Sequence, residues 1–116
     1  MKFPITAFAT ALTLLAAPAL AHGMLSSADP AESEVLTEAP KAVLLDFSED
    51  LEPALSTITV TDSAGVRIET GAPVADEPGS LRLDLPALTP GTYRVDWSVT
   101  SVDTHSTSGS YSFTLN

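Results

Sequence analysis

The longest alternating stretch of the chain runs over residues 92–101, where every second position is apolar. These apolar positions are Tyr93, Val95, Trp97 and Val99. Period-2 alternation of aromatic and β-branched residues is typical of a half-buried strand. A short polar connection containing Asp103 and His105 follows, and a second alternation begins at Tyr111. The pattern predicts two long strands joined by a connection that carries a carboxylate and an imidazole.

Shorter strand-like runs precede this stretch and are separated by turn residues. Strands are predicted over residues 23–27, 42–47, 55–61, 66–70, 81–85, 92–101 and 111–115. The run 42–47 is mostly apolar and is predicted to be buried on both faces, whereas residues 32–40 and 71–79 are predicted to be loops. Seven short strands with closely spaced turn signals predict an all-β sandwich or barrel. The segment 88–93 is typical of a tyrosine corner, in which a Tyr hydroxyl binds the preceding loop of a Greek-key sandwich.

The N-terminal segment has the pattern of a secretory signal. Met1 and Lys2 precede an apolar run over residues 8–20, which is too short for a membrane span and ends at the small-residue site Ala19-Leu20-Ala21. We therefore expect residues 1–21 to be a signal peptide and residues 22–116 to form one domain outside the cytoplasm. With no second apolar run of membrane length and no cysteine for a lipid anchor, the sequence predicts no membrane anchor.

Charge and cysteine content narrow the classes of function. The net charge is −10, which argues against nucleic acid or an anionic membrane surface as a partner. The absence of cysteine excludes disulfides, thiolate catalysis and a blue-copper electron-transfer centre. The remaining candidate chemistry depends on carboxylates and on the chain's two histidines.

Those two histidines suggest a metal site. Cleavage after Ala21 would expose His22, whose α-amine and ring Nδ1 can chelate one ion, and Asp103 and His105 can converge if the backbone between them is extended. Three nitrogens and one oxygen suit Cu(II) better than Zn(II), which prefers a tetrahedron. We expect one Cu(II) per chain and regard Glu49 as an outer-sphere candidate. For His105 taken alone, a solvated or hydrogen-bonded histidine is the ordinary alternative.

Several segments together resemble the CopC family of periplasmic copper-resistance proteins. They are His22, LSSADPA (25–31), AP (39–40) before VLLDFSE (43–49), LTPGTYRVDW (88–97), SVDTH (101–105) and GSYSF (109–113). The resemblance implies a seven-stranded Greek-key, cupredoxin-like sandwich. It also implies a Cu(II) site formed by the His22 amine and imidazole with Asp103 and His105, and Glu49 corresponds to a nearby acid of the family.

The chain departs from the family pattern at two places. Ser106 stands where the family often has proline, and the loop 71–79 lacks the methionines and histidines with which some members hold Cu(I). The resemblance therefore implies a member that binds Cu(II) alone. Its expected role is to sequester or carry periplasmic copper, without enzymatic activity, and to serve a membrane importer of the CopD type.

Two other classes of function remain as alternatives. A histidine-brace copper oxygenase would also use an N-terminal histidine, but Asp103 would fill the position that dioxygen needs, and the chain is short for a flat substrate face. A metal-free immunoglobulin-like interaction module would explain the strands and would leave the placement of His22 to chance.

Overall fold

The computed structural model describes residues 25–116, which form eight β-strands and one short 3-10 helix. The strands are β1 (Leu25–Asp29), β2 (Val35–Leu36), β3 (Ala42–Phe47), β4 (Thr57–Thr61), β5 (Val74–Glu77), β6 (Ser80–Asp84), β7 (Gly91–Thr100) and β8 (Ser106–Leu115). The 3-10 helix, Pro53–Leu55, precedes β4. Within the described range, no helix has the length and apolar character needed to cross a membrane.

The strands form two four-stranded sheets, in the orders β1-β3-β6-β5 and β2-β8-β7-β4. Neighbouring strands are antiparallel except β2 and β8, which are parallel. Consecutive strands such as β3 and β4, or β6 and β7, lie in different sheets, so the chain crosses between the layers as a Greek-key sandwich requires. The predicted all-β sandwich is confirmed, with eight strands instead of seven.

The core lies between the two sheets and is built from the alternating positions of their strands. Its buried members are Val43, Leu45, Phe47, Leu51, Ile58, Val60, Leu81, Leu83, Tyr93, Val95, Trp97, Val99, Tyr111, Phe113 and Leu115. Phe47 and Trp97 make an edge-to-face contact with ring centroids 5.3 Å apart. The buried hydroxyl of Tyr93 donates a hydrogen bond to the carbonyl oxygen of Thr89, which confirms the predicted tyrosine corner.

The strand β3 differs from its prediction because only one of its faces is fully buried. Val43, Leu45 and Phe47 face the core, whereas Asp46 is exposed on the outer face. The outer side of this sheet therefore faces solvent, and the apolar Ala42 and Leu44 on that side are only half-buried.

The loops predicted at residues 32–40 and 71–79 each contain a strand. The first includes the two-residue strand β2, and the second includes the edge strand β5, which is exposed along its whole length. Conversely, the strand predicted over residues 66–70 is reduced to one bridge between Thr61 and Arg67. Two backbone hydrogen bonds accompany this bridge, from the Ile68 N–H to the Val60 carbonyl and from the Asp62 N–H to the Val66 carbonyl. A fully exposed edge strand has no buried face, so it leaves no hydrophobic alternation in the sequence.

Candidate metal centre

Two loops meet at one end of the sandwich. We call residues 101–105, which connect β7 and β8, the site loop, and residues 48–52, which follow β3, the acid loop. The Val102 N–H donates a hydrogen bond to the Asp50 carbonyl oxygen at 3.0 Å. Leu51 is buried and forms a β-bridge with the first residue of the site loop. The backbones of the two loops are therefore fixed relative to each other.

The site loop is a closed turn rather than an extended strand end. Thr104 has a left-handed backbone with φ of 70°, a conformation uncommon for a β-branched residue. The Ser101 N–H donates to the His105 carbonyl oxygen at 2.8 Å, and the Thr104 N–H donates to the Ser101 carbonyl oxygen at 2.9 Å. The convergence of Asp103 and His105 was expected from an extended backbone. That reason is wrong, because the turn at Thr104 brings the two side chains together.

The turn places the imidazole of His105 beside the carboxylate of Asp103. Nδ1 of His105 lies 3.3 Å from Oδ2 of Asp103, and the two side chains are 76% and 54% exposed. One potential ligand atom from each of Glu49, Asp103 and His105 lies within 4.8 Å of the other two. Ligands bonded at roughly 2.0–2.2 Å to one ion can be as far apart as Nδ1 and Oδ2 are here. The acid loop and the site loop thus present two carboxylates and one imidazole to solvent at a single point.

Asp103 is also bonded to a side chain beneath it. The hydroxyl of Ser101, which is fully buried, donates a hydrogen bond to Oδ1 of Asp103. This bond, together with the charge of His105 and two backbone N–H groups, lowers the pKa of the Asp103 carboxyl below its ordinary value, although partial desolvation opposes the shift. The lowered pKa favours the ionised carboxylate, which is the form that binds a cation.

Sequence reasoning overlooked Ser101, although the pattern contained a signal for it. The inward-facing alternation of β7 passes through Trp97 and Val99 and, continued by two residues, reaches Ser101. A polar residue at an inward position must find a hydrogen-bond partner because an unpaired buried hydroxyl is unfavourable. That requirement could have pointed to a bond with a neighbouring side chain of the site loop.

Of the residues predicted to form the site, the structure brings Asp103, His105 and Glu49 together. The fourth, His22, lies outside the described residues. The described chain begins at Leu25, which pairs with Phe47 because β1 is antiparallel to β3. The first residue of β1 therefore lies beside the last residue of β3, the strand that leads into the acid loop.

Comparison with known proteins identifies the family of this sandwich. Residues 25–116 match the model of the CopC domain. The chain belongs to the CopC domain family. This CopC-family chain is 38% identical over 113 residues to protein YobA of Escherichia coli (strain K12), with 94% of this chain and 91% of YobA covered.

A longer relative contains a similar segment. The CopC-family chain is 28% identical over 110 residues to the copper transport protein CutJ of Bacillus subtilis (strain 168). The match covers 90% of this chain but only 20% of CutJ. In CutJ, a segment of this kind is therefore a small part of a much larger protein.

Solved structures of the family have the same fold. The crystal structure of CopC from Methylosinus trichosporium OB3b matches with a TM-score of 0.74 and 37% identity, covering 80% of this chain and 92% of that one. PcoC, described as a methionine-rich copper resistance protein from Escherichia coli, matches with a TM-score of 0.74 and 30% identity, covering 80% and 97%. The resemblance to the CopC family seen in the sequence is thereby confirmed. The present chain differs from PcoC in containing only two methionines, Met1 and Met24.

Proposed function

We propose that this CopC-family chain is a periplasmic copper protein that captures one Cu(II) ion through His22, Asp103 and His105. Glu49 serves in this proposal as an outer-sphere acid. The observation that carries the proposal is the meeting of Asp103, His105 and Glu49 at one exposed point, with Nδ1 and Oδ2 of the first pair 3.3 Å apart. An imidazole and a carboxylate on a fixed turn are ligands that a divalent ion can share.

The position of β1 supports the participation of His22. Leu25 pairs with Phe47, and Glu49 follows Phe47 by two residues. Three residues span at most roughly 11 Å, so chain length alone keeps His22 within that distance of Leu25. We propose that the N-terminal histidine reaches the copper site from this end of the sandwich.

The donor set explains the choice of Cu(II). Cleavage after Ala21 frees the α-amine of His22, and this amine and the ring Nδ1 close a chelate on one ion. With His105 and Asp103, the ion has three nitrogens and one oxygen, a set that suits the tetragonal preference of Cu(II). Because these nitrogens bind only when deprotonated, protons compete with copper and acid weakens capture.

The composition supports one Cu(II) site and no separate Cu(I) site. A Cu(I) site needs several soft ligands such as methionine thioethers. The segment 71–79 contains no methionine or histidine, and the chain has no cysteine. PcoC, by contrast, is described as methionine-rich. We infer that this chain does not pass copper between two sites of its own.

The relatives support a role in copper handling rather than catalysis. PcoC is described as a copper resistance protein, and CutJ is named a copper transport protein in which the matching segment is 20% of the length. We propose that this chain sequesters or carries copper and serves a membrane importer of the CopD type. We assign it no reaction, because Asp103 would fill the copper position that dioxygen needs in an oxygenase.

The proposal is tested by titrating the exported, processed protein with Cu(II) against a chromogenic chelator. We expect one tight equivalent per chain. His105→Ala should weaken binding roughly a thousandfold, about 4 kcal/mol at about 1.4 kcal/mol per decade. Ser106→Ala is the matched control, since Ser106 is exposed and its hydroxyl contacts Thr100 rather than the carboxylates. Two tight equivalents, or unchanged affinity in His105→Ala, would contradict the proposal.

A further inference from the structure

Ser101 is buried although it is polar and lies at the edge of an exposed site. It has no solvent exposure, and the other buried polar residue in the described part of the chain is Ser56, at 5%. A buried hydroxyl is destabilising unless it is hydrogen-bonded. The partners of Ser101 therefore indicate what the residue contributes.

The hydroxyl of Ser101 connects the two ligand candidates of the site loop. It donates to Oδ1 of Asp103 and accepts a hydrogen bond from the His105 N–H at 3.2 Å. The turn itself is closed by backbone bonds, from the Ser101 N–H to the His105 carbonyl and from the Thr104 N–H to the Ser101 carbonyl. The hydroxyl thus adds a contact with the His105 backbone and, in addition, an interaction with the Asp103 side chain that the backbone bonds of the turn do not require.

This interaction leaves the two oxygens of Asp103 in different environments. Oδ1 is held by the buried hydroxyl, whereas Oδ2 faces Nδ1 of His105 at 3.3 Å. A carboxylate without such a bond can rotate about its terminal torsion, because that torsion has broad minima. The Ser101 hydroxyl therefore restricts which oxygen of Asp103 lies beside His105.

We propose that Ser101 is a positioning residue for the copper site. It holds Oδ1 of Asp103 so that Oδ2 alone is presented to the ion beside His105, which makes Asp103 a monodentate ligand. This inference rests on the proposed function and adds to it a residue that acts through Asp103 without contacting the metal. Removing a group that hydrogen-bonds a metal ligand without touching the ion typically weakens metal affinity about 10- to 100-fold.

Ser56 provides a matched control for Ser101. It is also a buried serine near the end of β7, and its hydroxyl donates to the Glu52 carbonyl at 2.9 Å and accepts the Thr100 N–H at 3.4 Å. These are bonds to backbone only. Removing the Ser56 hydroxyl should therefore disturb packing near the site without releasing a ligand.

The test is a double-mutant cycle on Cu(II) affinity, measured by chelator competition with the processed protein. We expect Ser101→Ala to weaken binding about tenfold, Ser101→Thr to retain most of the affinity because it keeps the hydroxyl, and Ser56→Ala to match wild type. In an Asp103→Ala background, Ser101→Ala should weaken binding less than it does in wild type, because only the contact of the hydroxyl with the His105 backbone is then lost. The Cu(II) electron paramagnetic resonance spectrum of Ser101→Ala should also differ from that of wild type.

Each outcome of the cycle supports or overturns the inference. Wild-type affinity in Ser101→Ala, or an equal loss with and without the Asp103 carboxylate, would overturn it, since the hydroxyl would then act on the loop and not through the ligand. Circular dichroism and thermal unfolding of each variant check that the fold is retained. We expect retention, because alanine is smaller than serine and adds no atom to the buried position. If wild type itself binds no Cu(II), the proposed function fails first, and this result is distinct from failure of the Ser101 inference.

Discussion

Asp46 and Asp103 both accept hydrogen bonds from serine hydroxyls, and both have a lowered pKa, yet they lie in very different surroundings. Asp46 lies in β3, one of the two inner strands of its sheet, and faces solvent. Its two oxygens are both occupied, since Ser80 donates to Oδ1 and Ser27 donates to Oδ2 at 2.8 Å. In Asp103, a serine holds Oδ1 and the second oxygen faces an imidazole.

The difference shows what distinguishes a ligand candidate from a structural carboxylate. Asp46 is opposite Ser27 on β1 and opposite Ser80 on β6, so its bonds link three neighbouring strands. A carboxylate whose oxygens are both used in this way stabilises the sheet face, and no histidine of the described residues pairs with it. Asp103 keeps one oxygen available next to His105. A lowered pKa alone therefore does not identify the metal site.

The largest expected contrast is in copper affinity. Asp103→Ala should weaken Cu(II) binding about 100-fold, about 2.8 kcal/mol at about 1.4 kcal/mol per decade, because water replaces a carboxylate oxygen only in part. Asp46→Ala should leave the affinity unchanged. Chelator competition measures both. Equal losses in the two variants would show that net negative charge, and not the position of Asp103, sets the affinity.

Glu49 provides a smaller contrast within the site itself. If it is an outer-sphere acid, Glu49→Gln keeps a hydrogen-bonding oxygen, and Cu(II) affinity should fall about tenfold, at the low end of the range for such partners. Asp50→Asn, in the same exposed loop, is the control and should have no effect. A loss as large as that of Asp103→Ala would instead make Glu49 a direct ligand.

The smallest contrast concerns acid stability of the copper-free protein. The hydroxyls of Ser80 and then Ser27 lower the pKa of Asp46 in the folded state, so the unfolded state takes up its proton first as pH falls. The stabilisation is complete above the unfolded pKa, roughly 3.9, and is lost as pH falls through the lower folded pKa. As pH is lowered from ~5 to ~2, the midpoint temperature of thermal unfolding should therefore fall less steeply for Asp46→Asn than for wild type.

A second variant checks that the hydroxyls cause this pH dependence. The double substitution Ser27→Ala and Ser80→Ala keeps the carboxylate and removes its two hydrogen-bond donors. It should therefore reduce the loss of thermal stability at acid pH in the same way as Asp46→Asn. If the unfolding midpoint temperatures of wild type and both variants fell in parallel with pH, these hydrogen bonds would contribute nothing to acid stability.

The sequence predicted the strands that bury one face and expose the other, because such strands alternate apolar and polar residues. The paired strands β7 and β8 and the corner at Tyr93 were visible for this reason, although β8 begins at Ser106, before the first apolar residue of its pattern. The strand β5 was missed because it is an exposed edge strand, stabilised by backbone pairing with β6 that has no hydrophobic signature. The solvent-facing side of β3 was missed because Ala42 and Leu44 are apolar on that side as well.

The candidate site was visible in its residue types but not in its geometry. Asp103, His105 and Glu49 were chosen for their chemistry and their positions next to strands, and the structure brings them together. The left-handed turn at Thr104 could not be foreseen, since threonine seldom adopts it. The bond from Ser101 depends on that turn, and so its link to Asp103 required the structure.

The most direct test of the central claim concerns the N-terminal amine of the processed chain. One extra residue ahead of His22 would convert this amine into an amide while leaving the imidazole, Asp103 and His105 in place. We predict that the extended protein binds Cu(II) roughly a thousandfold more weakly than the processed one, about 4 kcal/mol at about 1.4 kcal/mol per decade, with identical circular dichroism spectra. Equal Cu(II) affinities in the two folded proteins would contradict a copper site that begins at His22.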